Sequence, residues 1–302
     1  MRLASAVACA VLMATTIARA QDMEPKAYSA SPVGANFLVG SYSWSSGDVL
    51  FDPTIPVSDV KANVDGFALA VGHSFDLFGD LALVTVALPY AWADVTGKVE
   101  EQAAEATRSG LADARLRFSV NLVGNPAMSA SEFVRAPRKP IVGASLTVQA
   151  PSGQYYDTKL INLGNNRWAF KPEVGLSVPI RRLDADIYAG AWFFTANDDF
   201  YPGGLQRTQS PVAAIQAHLS YTLRPRLWVA FDSTWYSGGT TRVSNGTSSQ
   251  GVNNSRGGAT LSMPVGRRYS FKIAYANGIT VRTGTNFTTV AVAWQALWLS
   301  PR

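Results

Sequence analysis

The stretch DARLRFSVNL, residues 113–122, interleaves two unlike series of side chains. Leu116, Phe118 and Val120 belong to an apolar series, whereas Arg115 and Arg117 belong to a polar one. Strict alternation predicts a β-strand with two different faces. In a soluble protein the apolar face would meet a core. In a membrane barrel it would meet lipid, and the arginines would line the interior.

The first residues have the pattern of a secretory signal peptide. Arg2 supplies a short basic region, residues 3–17 form an apolar run, and residues 18–20 read ARA, an A-x-A cleavage site. An uncleaved N-terminal anchor is the alternative, and the polar QDMEPK that follows disfavours it. The predicted division is a signal peptide at 1–20 with cleavage after Ala20, a periplasmic N-terminal segment at 21–33, and an outer-membrane barrel at 34–302.

Composition limits the class of protein. The one cysteine, Cys9, lies in the predicted signal peptide, so the exported chain cannot depend on disulfides. Without Arg2 and Arg19, 24 of the 26 basic residues remain against 21 acidic ones, a balance too mild to predict a nucleic-acid partner. No later run approaches the roughly 18 apolar residues of a transmembrane helix. Because 47% of the chain is still hydrophobic, that hydrophobicity must be spread over many short segments.

The alternation of residues 113–122 recurs about a dozen times. Each predicted strand is longer than the mode of roughly 5 to 6 residues in globular sheets and close to what a tilted strand needs to cross a bilayer. The predicted strands lie at 35–45, 63–75, 81–94, 110–122, 140–150, 167–178, 185–195, 211–222, 227–237, 256–264, 269–277 and 287–298.

Connections between these strands alternate between short and long. The short ones lie at 76–80, 179–184, 224–226 and 264–268, with 123–139 as a long exception on the same side. The long ones, such as 46–62, 96–109 and 237–257, are rich in Gly, Ser, Thr and Asn. An even number of strands with short periplasmic turns and long outer loops predicts this asymmetry. The fold class is therefore all-β, a transmembrane antiparallel up-and-down β-barrel of about twelve strands.

Tryptophans lie near both ends of the predicted strands, which is typical of the two aromatic girdles of membrane barrels. A scatter of ordinary core aromatics is the alternative. The predicted girdle residues are Trp44, Trp92, Trp168, Trp192 and Trp235 on the long-loop side, and Trp228 and Trp298 at the opposite rim.

The polar series of the strands supplies candidate lining residues for the interior. One interpretation is a polar pathway that orients a small solute, and the other is a network of ion pairs that supports the wall. The five cations outnumber the three carboxylates, which hints at a preference for anions or carboxylates. The candidates are Asp113, Arg115, Arg117, Lys171, Glu173, His218, Asp232, Arg256 and Lys272.

Two further patterns bear on chemistry. A symmetric hairpin near residue 225 would pair His218 with Asp232, and structural hydrogen bonding is favoured there over acid–base catalysis because no nucleophile motif accompanies them. We therefore predict no catalytic residue, no metal site and no cofactor. Pro89 and Pro172 interrupt strands that otherwise read as fully paired. They are candidate wall breaks, either bulges that tune curvature or a lateral opening for apolar solutes.

Several long segments resemble the outer-membrane barrels of the MetA-pathway of phenol degradation transporter family. The resemblance implies the barrel fold, an outer-membrane location in a Gram-negative bacterium and an association with aromatic degradation, but no catalytic residues. One departure is that LSPR follows Trp298, where such barrels usually end on an aromatic residue. The segments are 32–60, KLINLGNNRWAFKPEVGLS (159–177), YAGAWFFTANDDF (188–200), QAHLSYTLRPRLWVAFDSTWYSGG (216–239) and RRYSFKIAYANGI (267–279).

The leading functional hypothesis is a channel for small aromatic or hydrophobic solutes that works by passive or facilitated diffusion. Expected partners are outer-membrane lipid, lipopolysaccharide, the solute and the barrel assembly machinery. The alternative is a structural or adhesin-like barrel whose loops bind and whose lumen is closed. An outer-membrane enzyme and a soluble secreted all-β protein are weaker alternatives, the first because no convincing nucleophile and base are present.

Overall fold

The computed structural model describes residues 23–50, 57–99, 102–159, 161–246, 248–281 and 284–300. The predicted signal peptide lies outside this part of the chain. Strands β1 to β17 are Ala35–Leu50, Val57–Leu77, Asp80–Val99, Gln102–Leu111, Arg115–Pro126, Ile141–Gln149, Ala169–Ile180, Leu183–Phe194, Asn197–Phe200, Leu205–Gln209, Val212–Arg224, Leu227–Gly238, Thr241–Val243, Ser248–Ser249, Val252–Val265, Tyr269–Thr280 and Gly284–Leu299. One short helix, α1, covers Ala130–Arg135. No helix in the described ranges is long and apolar enough to span a membrane.

Twelve of the described strands form one closed antiparallel sheet, in the order β1, β2, β3, β5, β6, β7, β8, β11, β12, β15, β16 and β17. The first and last strands close it, with pairs running from Ala35 opposite Leu299 to Leu50 opposite Gly284. Each of the twelve predicted strands overlaps one of these, so the predicted barrel is confirmed. The alternating pattern predicted these strands correctly because each wall strand separates two different environments along its whole length.

One predicted strand, 110–122, is interrupted in the structure. Strand β4 ends at Leu111 and β5 begins at Arg115, and both pair with β3. The register changes between them, since Tyr90 lies opposite Leu111 but Ala87 lies opposite Arg115. Pro89 of β3 faces this interruption, and proline offers no N–H to a ladder.

The long connections contain more strand than the sequence predicted. Strands β1 and β2 extend through much of the predicted loop 46–62, and β3 and β4 through much of 96–109. A separate four-stranded sheet, in the order β14, β13, β10, β9, is built from the connections after β8 and β12. These short strands pair only because the barrel brings the two connections together, for example Gln209 opposite Thr241 and Thr241 opposite Ser249. Local composition does not reveal such pairing.

The opposite end of the barrel carries the short connections, and we call it the short-turn end. The turn between β2 and β3 has φ of 54° at Phe78 and 96° at Gly79, and two positive φ values match the twist of a tight hairpin. The long exception, between β5 and β6, contains α1. Ser129 caps this helix through a capping box with Glu132.

The distribution of side chains across the wall is the inverse of that in a soluble protein. Leu116 and Phe118 of β5 point outward and are 42% and 36% exposed, whereas the neighbouring Ser119 points inward and is 6% exposed. Arg117 also faces inward, with its guanidinium 3.6 Å from the Glu173 carboxylate. An exposed apolar band around a closed sheet suits a hydrocarbon environment, because closure removes the unpaired edge strands that an open sheet would present to lipid.

Candidate functional site: the barrel interior

The nine charged and polar side chains that the sequence assigns to the interior lie on the inward face of the wall. Arg115, Arg117 and Lys272 are partly exposed there, and Lys272 lies opposite the buried Ser262 of β15. Charges in such a wall need partners, because an isolated buried charge is costly. The buried members are Asp113, Lys171, Glu173, His218, Asp232 and Arg256.

Glu173 of β7 is the centre of a charged network midway along the bore. The Lys171 ammonium lies 3.1 Å from one of its oxygens, and the Gln216 amide donates to the same oxygen at 3.1 Å. The Arg117 guanidinium lies 3.6 Å from the other oxygen, to which the Tyr28 hydroxyl donates at 3.1 Å. We call these five residues the Glu173 network. Gln216 was not among the candidates, although it shares the inward face of β11 with His218.

His218 and Asp232 pair directly across β11 and β12, as the symmetric hairpin predicts. His218 Nδ1 lies 2.7 Å from one Asp232 oxygen, and the Thr260 hydroxyl donates to the other at 2.7 Å. Both oxygens of the carboxylate are therefore engaged in the wall. The arrangement supports the structural interpretation of this pair, with Asp232 orienting the imidazole and linking β11, β12 and β15.

Several inward polar atoms near this pair are buried without a hydrogen-bond partner among the described residues. Buried polar groups are nearly always hydrogen-bonded, to ordered water where protein groups do not serve. This side of the bore therefore favours hydration over an apolar filling. The atoms are His218 Nε2, Gln216 Oε1, Ser220 Oγ and Thr234 Oγ1.

Residues 23–30, which we call the inserted segment, lie inside the short-turn half of the bore. Lys26 forms an ion pair with Asp184 of β8, and its backbone N–H donates to Asp186 at 3.3 Å. The Ala27 N–H donates to the hydroxyl of Tyr188, on the same inward face, at 3.1 Å. The segment therefore narrows the bore on the β5 to β8 side.

Tyr28 holds the inserted segment in place. It is 2% exposed, and its hydroxyl bonds Ser145 at 2.9 Å as well as Glu173. The ring packs over Gly143 and Gly175, where a Cβ atom would overlap it. Burial, and then the neighbouring Glu173 carboxylate, raise the pKa of Tyr28. The hydroxyl therefore stays protonated and donates to the carboxylate.

Asp113 fastens the connection between β6 and β7, described at 150–159 and 161–168, which we call the inward loop. Its carboxylate accepts hydrogen bonds from the Gly153 N–H at 3.0 Å and from the Asn165 N–H and side-chain amide at 2.9 and 2.8 Å. Gln149 donates to it at 2.9 Å. The sequence predicted that Asp113 faces inward, and the structure adds its partner, a loop folded back into the barrel.

Ile161 and Leu163 of the inward loop pack against apolar side chains from four wall strands. We call this group the outer apolar cluster, and each member is buried. Sequence reasoning missed it, although Val60, Ala62 and Val64 form an apolar inward series on β2. The wall members of the outer apolar cluster are Val49, Val60, Ala62, Val64, Ala93, Val95 and Phe287.

A cavity of about 140 Å³ adjoins the outer apolar cluster. We call it the upper cavity. Ala87, Ala91 and Leu163 contribute apolar surface to it, and Arg115 and Gln149 contribute polar groups. The arrangement can hold a small apolar body and leave a polar substituent near a cation.

Comparison with known proteins assigns the chain to a family. Residues 45–295 match the profile of the family described as "Putative MetA-pathway of phenol degradation". The chain belongs to this family. No curated protein sequence matches it.

Two solved structures show how the fold of this family member relates to other barrels. The COG4313 outer membrane channel from Pseudomonas putida F1 superposes with a TM-score of 0.77 at 19% identity, covering 91% of this chain and 99% of that one. The transport unit of the autotransporter AIDA-I from Escherichia coli gives 0.55 at 10% identity, covering 99% of each chain. At these identities the likeness concerns the fold, that of outer-membrane β-barrels.

Both prolines that interrupt the strands of this phenol-degradation family member coincide with gaps in the ladder. On the edge of β3 that faces β4 and β5, Pro89 is joined to the neighbouring chain through its carbonyl, which accepts a hydrogen bond from the Ala112 N–H at 2.9 Å. Between β7 and β8, pairing stops at Phe170 and resumes at Glu173, so it omits Pro172. Pro89 also lines the upper cavity. One of the two gaps in the wall therefore lies beside that cavity.

Five of the seven predicted girdle tryptophans lie on the outward face. Their exposed fractions are similar, between 41% and 46%. These five are Trp44, Trp92, Trp168, Trp235 and Trp298.

The prediction was wrong for the other two tryptophans, which face inward. Trp192 is 6% exposed, packs in a cluster with Ala169 and Val212, and has the Lys171 ammonium 5.4 Å from its ring centre. Trp228 lies between the ammonium groups of Lys26 and Lys272, at 5.6 and 5.8 Å. Proximity to a strand end suggested a girdle, but strand parity decides the face, and inside the barrel these rings contact cations.

Proposed function

We propose that this protein is a channel that passes small aromatic or hydrophobic solutes inward across the outer membrane by passive or facilitated diffusion. The upper cavity carries the proposal. Its volume of about 140 Å³ is close to that of an apolar cavity of roughly 150 Å³ that holds one benzene ring. An open hydrophilic pore would not need an interior apolar cluster beside a cavity of this size. In this proposal the protein acts without catalysis and without a cofactor.

The family and the fold support the proposal from a different direction. The family carries phenol degradation in its description, and the barrel from Pseudomonas putida F1 is described as an outer membrane channel. A single-ring solute with a hydroxyl group would fit both the apolar wall of the upper cavity and the polar groups at its edge. Arg115 is the side chain we assign to orienting that substituent.

The proposed route leaves the bore sideways beside Pro89. The inserted segment and the Glu173 network obstruct the straight path to the short-turn end, which in such barrels faces the periplasm. The ladder gap at Pro89 lies next to the upper cavity, which is also lined by the lipid-facing Phe67 of β2. An apolar solute passes from the cavity into the membrane through this gap. In the rest of the lumen, the charged residues support the wall.

The proposal includes the membrane partners of the barrel. The five outward tryptophans lie at headgroup depth, and the long outer connections face lipopolysaccharide. The assembly machinery recognises the last strand, β17, whose outward face includes Trp294 and Trp298. In this proposal, residues 1–20 direct export and are removed after Ala20.

Uptake of a panel of labelled single-ring compounds, by cells with and without the protein, tests the proposal. Replacing Leu163 with Trp would fill the upper cavity, and we expect uptake of toluene or phenol to fall several-fold. The matched control is Leu176→Trp, which adds the same ring on the outward face, where Leu176 is 42% exposed. Equal uptake with and without the protein, together with no conductance in planar bilayers, would leave the loop-binding alternative in its place.

Proline substitutions test the lateral route separately. Pro89→Val restores a backbone donor beside the upper cavity, and we expect it to lower uptake of apolar solutes without changing ion conductance. Pro172→Val restores a donor at the gap away from that cavity and should lower uptake less. Unchanged uptake in both variants would rule out a route through the wall.

A further inference from the structure

A second cavity, of about 280 Å³, lies at the short-turn end, and we call it the lower cavity. The inserted segment, the connection 127–140 and the ends of β6, β7 and β8 enclose it. Met128, Phe133 and Ile141 contribute apolar surface. It is separate from the upper cavity, since the two share no lining residue.

The charges around the lower cavity are mainly positive. Lys26, Arg138 and Lys139 line it together with one carboxylate, Asp184. Asp184 forms ion pairs with both Lys26 and Arg138. Three cations against one carboxylate leave a positive potential, which favours an anionic ligand.

A buried amide provides a second and independent indication of a ligand. Asn125, at the end of β5, lines the lower cavity and is 4% exposed. Its Nδ2 has no hydrogen-bond partner among the described residues. A buried donor without an acceptor costs free energy, so this position suits an acceptor that arrives with a ligand.

We propose that the lower cavity binds a small organic anion in which a carboxylate is attached to an apolar body of at least one aromatic ring, for which its volume of about 280 Å³ has room. The carboxylate accepts from Asn125 Nδ2 and lies among the cations, and the ring packs on Phe133 and Met128. A neutral ring would leave the amide donor and the positive potential unmatched. An inorganic anion would leave the apolar wall uncovered. Both the carboxylate and the ring of the ligand are therefore needed for binding.

This binding is distinct from the proposed transport, because it uses residues at the short-turn end and requires no passage. The ligand would contact Lys26, which belongs to the inserted segment, and Arg138, which belongs to the connection that contains α1. A bound anion therefore holds these two pieces of chain together across the mouth of the barrel.

Calorimetric titration of the full-length purified protein in detergent tests the site, with sodium benzoate as the probe. We expect Asn125→Ala to weaken benzoate binding at least tenfold, the lower limit for the loss of one hydrogen bond to a charged group. Lys139→Ala should weaken it several-fold. The matched control is Arg135→Ala, which removes one positive charge from the end of α1 but does not line the lower cavity.

Asn125→Ala has a second signature that separates ligand binding from a structural role. Because the amide donor has no partner, its removal should leave the thermal midpoint unchanged or slightly higher while affinity falls. Benzamide and inorganic phosphate should each compete poorly with benzoate. Equal losses in the Arg135 and Lys139 variants, an unchanged affinity in the Asn125 variant, or competition by benzamide as strong as that by benzoate itself would overturn the proposal. Cell uptake measurements on the same variants report on the channel function independently.

Discussion

The two ends of the bore differ in the interactions that dominate their filling. In the short-turn half, the inserted segment is held by ion pairs and hydrogen bonds, such as those of Lys26 with Asp184 and of Tyr28 with Glu173, and by a small apolar group in which Tyr28 packs on Tyr188. At the loop end, the inward loop packs through the outer apolar cluster and is also hydrogen-bonded by Asp113 and by Arg108, whose Nε donates to the Ile161 carbonyl at 2.9 Å. A twelve-stranded wall alone therefore does not determine what fills it.

This difference determines how each end responds to change. A charged contact inside a barrel is stable only while both partners remain, because either charge alone is left in a poor environment. An aliphatic cluster loses stability gradually as methylene groups are removed. We therefore expect single substitutions to act sharply at the short-turn end and in a graded way at the loop end.

Deleting residues 21–30 should have the largest effect, because it removes the inserted segment and leaves the wall strands, which begin at Ala35, intact. We expect single-channel conductance in planar bilayers to rise several-fold. Tyr28→Ala, which removes only the anchoring side chain, should give a smaller rise with brief closures. Conductance equal to that of the unaltered protein would mean that the inserted segment does not restrict ion flow through the bore. It would contradict the proposed difference between the two ends.

Glu173→Leu should be the most destabilising single substitution among the contacts that hold the inserted segment. It leaves Lys171 and Arg117 without their shared carboxylate, and removing one partner of a buried pair costs about 3 kcal/mol or more. Urea-dependent loss of the heat-modifiable gel band measures this change.

Glu173→Gln is the control, because an amide oxygen still accepts from Tyr28 and the side-chain volume is kept. It should be less destabilising than Glu173→Leu. Equal stability of the Leu variant and the unaltered protein would show that water, and not Glu173, satisfies the neighbouring cations.

The wall could be predicted from the sequence because its chemistry is local. In β5 each residue is inward or outward by parity alone, so Leu116 and Arg117 could be assigned without knowledge of any partner. The same rule, applied to the whole of β8 and β12, would have placed Trp192 and Trp228 inside. Those two were assigned by proximity to strand ends, which is a weaker indicator than parity.

The filling of the bore could not be predicted, because its contacts join positions far apart in the chain. Tyr28 and Glu173 are 145 residues apart, and no pattern near Tyr28 marks it as an interior residue. Asp113 is an intermediate case. Its inward direction followed from alternation, but its partners in the inward loop depend on how that loop folds back.

The outer apolar cluster gives the smallest expected effect and the most direct test of the contrast. Leu163→Ala removes aliphatic contacts with the wall, and a loss of about 2 kcal/mol, at the low end for buried leucine, is expected because Leu163 also borders the upper cavity. The inward loop should become more sensitive to protease, while the inserted segment should not.

Because the substitution Leu163→Ala also enlarges the upper cavity, uptake should shift towards two-ring compounds such as naphthalene. Leu176→Ala on the outward face shortens the same kind of side chain without touching the cavity, so it should leave this preference unchanged. A shift of equal size in both variants would mean that the lipid-facing surface, and not the interior, selects the solute.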